Sequence, residues 1–176
     1  MSFLTKLFNR DNPNTVMQPL YDAVIAEGRR LGWYESGDVP DTLDGRFDMI
    51  TAILCLVMLR LEQFDEAKDE TVWLTELFVR DMDGQLRQIG IGDMIVGKHV
   101  GRMMGAFGGR LGAYREAFDG KQDLESALVR NIYRGETPDQ KALDFTSATL
   151  RNFRARLEQT ELSAILRGQL PEAAST

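Results

Sequence analysis

One cysteine, Cys55, and one histidine, His99, stand among 176 residues, with only five prolines. A lone cysteine excludes an intrachain disulfide framework and points to a reducing compartment. With a single histidine, and the single cysteine inside an apolar run, the inventory argues against Ser–His and Cys–His catalysis and against histidine-based zinc sites. His99, between Lys98 and Val100, reads as a solvated helix residue. Long apolar runs are missing too. The longest extends from Ala52 to Leu59 and is closed by Arg60, well short of the ~20 residues that a membrane-spanning helix requires. No segment shows sustained two-residue alternation, so no sheet is expected.

The start, MSFLTKLFNR, is too short for a signal peptide and lacks its cleavage site. The expectation is a bacterial cytoplasmic protein, or one whose leader has been removed. Residues 1–13 read as a short segment, either amphipathic (Phe3, Leu4, Leu7 and Phe8 beside Lys6 and Arg10) or flexible. In the first form it could touch a membrane surface weakly.

What is present suits one helical domain. Hydrophobic residues make up 43% and charged residues 27% of the chain, ordinary values for a globular protein. The net charge of −6 argues against specific nucleic-acid binding. Residues 60–84 hold eight acidic and three basic side chains, whereas 85–115 hold five basic and one acidic. A negative patch next to a positive one favours oriented docking.

Periodicity gives the elements. Val16, Met17, Leu20, Tyr21, Val24 and Ile25 predict a helix ending near Leu31-Gly32. Residues 33–43 read as an irregular connector with two aromatics to bury. A second helix, about 44–63, is apolar almost all round from Met49 to Leu61, which places it at the centre of a bundle. A third carries Trp73, Leu77, Phe78, Met82, Leu86 and Ile89 on its inner side. After a Gly-Ile-Gly break at 90–92, a fourth carries Val96, Val100, Met103, Phe107, Leu111, Tyr114 and Phe118.

A fifth helix spans about 122–134. The sixth is announced by Thr137-Pro138-Asp139-Gln140, read as cap, first-turn proline and capping-box glutamine. Thr160 is expected to cap a last short helix ended by Gly168. The expectation is an all-α, single-domain irregular bundle of about six to seven helices over residues 14–168, with 169–176 a disordered tail.

Asp81-Met82-Asp83-Gly84 has its glycine at the fourth position, where a calcium loop needs it at the sixth. The two aspartates read as carboxylates on a helix surface or pairing with Arg80 and Arg87. No catalytic, cofactor or metal site is indicated, and an interaction protein is the default.

The fourth helix is unusual in its glycines. Gly97, Gly101, Gly105 and Gly109 form a ladder, joined by Gly108 and Gly112. Each interior glycine costs a helix ~1 kcal/mol relative to alanine, so something should approach this backbone closely. Two readings fit. In one, the ladder is a groove for an apolar helix of another protein, with Gly97, Gly101 and Gly105 as floor and Met103, Met104 and Phe107 as adaptable wall. In the other, it lets the fourth helix pack tightly against the second. Lys98, Arg102, Arg110 and Arg115 read as a solvated basic face that could also meet an anionic partner.

VPDTLDGRFDMI (39–50), LFVRDMDGQLRQIGIGDMIVGKHVGRM (77–103) and the helix with Tyr21 resemble the ubiquinol–cytochrome c chaperone family over about residues 15–160. The resemblance implies that Asp81, Asp83, Leu86, Arg87, Gly92, Asp93 and Lys98 match the family's signature block, without saying whether they bind a client or shape the fold. It implies a chaperone that holds newly synthesised cytochrome b, or a similar apolar membrane subunit, during assembly of respiratory complex III. Mitochondrial members work with a small partner protein near the ribosomal tunnel exit. No cofactor and no enzymatic activity are implied. The rival use of such a domain is a helical adaptor peripheral to the inner membrane that shields no client.

Overall fold

The structure is a computed structural model, and it describes residues 13–88 and 93–173. Within its helices the side chains of residues 13, 83, 85–88, 93–100, 102 and 103 lie outside the description. So do the N-terminal segment, the Gly-Ile-Gly break and the signature side chains Asp83, Leu86, Arg87, Gly92, Asp93 and Lys98.

A 3-10 turn over Pro13–Met17 leads into α1 (Gln18–Gly28) and the short α2 (Leu31–Glu35). Next come α3 (Leu43–Leu61), a second 3-10 turn (Asp65–Ala67), α4 (Lys68–Gln88) and α5 (Asp93–Phe118). The chain closes with α6 (Leu124–Asn131), α7 (Gln140–Gln159) and α8 (Leu162–Leu166). Every regular element among the described residues is helical.

α3 is the axis. Thr42 caps it, its hydroxyl accepting the Gly45 N–H at 3.1 Å. Every residue from Asp48 to Met58 is then buried, as an all-round apolar helix requires. Thr51 satisfies its hydroxyl by donating to the Phe47 carbonyl at 2.7 Å. α1, α4, α5 and α7 all pack against α3. Leu20 and Val24 of α1, Leu74 and Phe78 of α4, Tyr114 of α5 and Leu150 and Phe153 of α7 supply the facing apolar surface.

Several local expectations are corrected. The first helix stops at Gly28 rather than near Leu31. A Cβ at Gly28 would press on the Ile50 backbone at 2.8 Å, so the chain crosses α3 there with no room for a side chain. Within the expected connector, α2 turns Trp33 inward, where its indole donates to the Glu27 carbonyl at 2.9 Å. The cap of α7 is Asp139, accepting from the Lys141 N–H at 2.9 Å, and Thr137 takes no part in it. Thr160 does not cap α8, because its hydroxyl donates back to the Arg156 carbonyl at 2.8 Å. The packed body also runs past residue 168. Ala173 is buried, and Arg156 donates to the Glu172 carbonyl at 2.6 Å.

Candidate functional site

Three places carry polar or exposed chemistry. The first is the outer face of α5. Gly101, Gly105, Gly108 and Gly109 are exposed and Gly112 half-buried. A Cβ built at any of the five meets nothing within 4 Å. Steps of three and four put these positions on one side of the helix. Packing against the other described residues does not account for these five glycines. Gly97 and Met103 lie outside the described side chains.

The opposite side of α5 faces the core. Phe107 is 5% exposed, its ring 5.3 Å from that of Phe78, which in turn lies 5.9 Å from Phe47. Phe107 is therefore part of an interior aromatic row and cannot line an external groove as expected. Met104 is half-buried against the core. The face that α5 presents outward is a flat strip of backbone, with no described aromatic wall.

The second place is a buried clasp. The Asp48 side chain is fully buried. It accepts from Arg110 Nη2 at 2.5 Å and from Arg134 Nε at 2.7 Å, while Arg134 Nη1 reaches Asp44 at 2.8 Å. Arg134 sits at φ 56, a left-handed conformation uncommon outside glycine, in the turn that follows α6, and its guanidinium reaches α3. One carboxylate thus ties α3 to α5 and to the end of α6. Arg110, expected on a solvated face, is used inside, and Arg115 pairs with Glu62 at 2.5 Å. Cys55 is buried nearby, and burial pushes its thiol far above the usual range.

The third place is a cleft of about 460 Å³ between α1 and α4, lined by Gln18, Tyr21, Asp22, Ile25, Leu77, Arg80, Asp81 and Gly84. The Tyr21 hydroxyl donates to Asp81 at 2.8 Å. Burial, followed by the neighbouring Asp81 carboxylate, pushes the Tyr21 phenol far up, so it stays a donor at any working pH. Asp81 is the one signature carboxylate whose side chain is described. It is held by a tyrosine 60 residues away in sequence, a partner that local pairing with Arg80 or Arg87 would not suggest.

Sequence reasoning missed Arg134 and the α1 side of this cleft. Only the placement of Tyr21 in a resembling segment pointed toward the cleft, and nothing pointed to Arg134.

A family model described as ubiquinol-cytochrome C chaperone matches residues 35–173. Among solved structures, the chain is similar to the Cbp3 homolog from Brucella abortus, with 28% identity and a TM-score of 0.78, covering 96% of each chain. No curated protein matches the sequence.

Proposed function

The chain belongs to the ubiquinol–cytochrome c chaperone family, and from that premise we propose that it captures newly made cytochrome b, or a similarly apolar subunit of complex III, on the outer face of α5. The observation that carries this reading is the run of five glycines whose missing side chains leave open space. A partner helix could approach that backbone more closely than any side-chain-bearing surface permits. The interaction is stoichiometric, and no bond is made or broken. No described helix is long and apolar enough to cross a membrane.

Photo-crosslinking tests the reading. A photoreactive residue placed at Gly105 should yield an adduct with cytochrome b in cells assembling complex III. The same residue at Asp144, an exposed position on α7, should give none. Adducts at Asp144 and none from α5 would remove the proposal.

A further inference from the structure

The chain beyond α8 stays on the body of the protein. Gly168 sits at φ 77, and a Cβ there would lie 2.4 Å from the Pro19 carbonyl oxygen, so a glycine is needed for the chain to cross the first turn of α1 this closely. The Gln169 N–H then donates to the Ala164 carbonyl at 3.0 Å. Leu170 packs against the core, and Ala173 is buried. The Ala173 N–H faces the Glu27 carboxylate in the last turn of α1. Residues 168–173 thus form a non-helical strap along α1, from Pro19 to Glu27.

The far end of the strap closes over a buried acid. Glu27 Oε2 lies 3.5 Å from Arg30 Nη1, the outer limit of a hydrogen bond. Its Oε1 is buried and has no hydrogen-bond partner. Arg30 also reaches Glu172 of the strap at 3.9 Å, and Arg156 of α7 donates to the Glu172 carbonyl at 2.6 Å. Among the described residues, Arg30 and Glu172 are the charged groups that act on Glu27. An ionised carboxylate out of water needs close, well-made partners. One long contact and one unpaired oxygen meet that need poorly, whereas a protonated carboxyl needs far less.

From this geometry we infer that residues 168–173 are a pH-sensitive strap, latched over Glu27 while that carboxyl carries its proton and released when it ionises. Release uncovers the apolar seat of Leu170 and Ala173 beside α1, independently of the α5 face. Burial, the largest influence, holds the Glu27 carboxyl above its ordinary value of 4.5, against the opposing pull of Arg30 and the Ala173 N–H. With the strap open, the carboxyl returns to water and to that ordinary value. Protonation therefore favours closure. The advantage of the closed strap is fully present below the open-state value and is lost as pH rises through the closed-state value. One proton is exchanged, so between those two values the opening constant rises by up to about tenfold per pH unit.

Hydrogen exchange on the full chain tests the strap. Protection of the amides of residues 169–173, corrected for the intrinsic pH dependence of exchange, should fall between pH 4.5 and 8.5. Protection of the α3 amides should hold steady over the same range, which separates local release from unfolding. Glu27→Gln, a neutral mimic of the protonated acid, should keep the strap protected throughout. Glu158→Gln, at an exposed position on α7, should follow wild type. Arg30→Gln should lower strap protection severalfold at pH 8 and little at pH 4.5, because it removes the one cation facing the ionised carboxylate.

Strap protection that does not change with pH overturns the inference. So does a fall in Glu27→Gln equal to that of wild type, or a parallel fall in α3. Should Glu27→Gln fail to fold, Arg30→Gln carries the test, and equal loss of protection at both pH values would then overturn it.

Discussion

Gly45 in α3 and Gly101 in α5 are both helical glycines, and their surroundings are opposite. A Cβ on Gly45 would collide with the Pro40 carbonyl, so the chain preceding α3 can fold back only because the side chain is missing. A Cβ on Gly101 would meet nothing. At the first position the fold demands glycine. At the second the described chain makes no use of it, yet the helix forgoes ~1 kcal/mol there relative to alanine. The same contrast separates whole regions. α3 is filled on every side and locked by the Asp48 clasp, while the outer strip of α5 is bare backbone. A surface built from poor helix formers that contact nothing among the described residues is the observation on which the proposed client contact rests.

The strongest way to sharpen this contrast is to attack the locked region. Asp48→Ala leaves the Arg110 and Arg134 guanidiniums without their buried partner. Breaking one side of such a pair is expected to lower stability by ~3–5 kcal/mol, read as the midpoint of urea unfolding. A loss within experimental error would show that the clasp does not join α3, α5 and α6. Gly45→Ala should come next, at ~1–3 kcal/mol for a forced backbone shift, measured the same way. Gly105→Ala should move in the opposite direction, raising the melting temperature through up to ~1 kcal/mol of better helix propensity. If Gly105→Ala and Gly45→Ala destabilise alike, the distinction between the two kinds of glycine collapses.

Much of the first region was legible in the sequence, because continuous burial leaves a continuous apolar pattern from Met49 to Leu61. The second was legible only as spacing. Repeated glycines serve a tight internal crossing and an external face equally well, and the choice depends on which way the helix is turned. Phe107 carried the clue, since it belongs to the apolar stripe of α5 as well as to the proposed wall. Its burial beside the Phe78 ring shows that the stripe faces in and the glycines face out. Asp48 and Arg134 were invisible as a pair because 86 residues separate them, and charge has no periodicity to betray such a partner. α2, at five residues, is too short to show a helical repeat. The chain beyond Gly168 has a composition that suggests disorder, while Ala173 is buried and Arg156 holds the preceding carbonyl.

The central claim is that the bare strip of α5 exists for a partner helix, and Gly101→Leu tests it most directly. Leucine at this exposed position fills the strip without touching the core. The account predicts a melting temperature equal to or above that of wild type, because leucine is far the better helix former, together with a sharp fall in cytochrome b co-purified with the protein. A stable Gly101→Leu protein that captures cytochrome b at the wild-type level would contradict it.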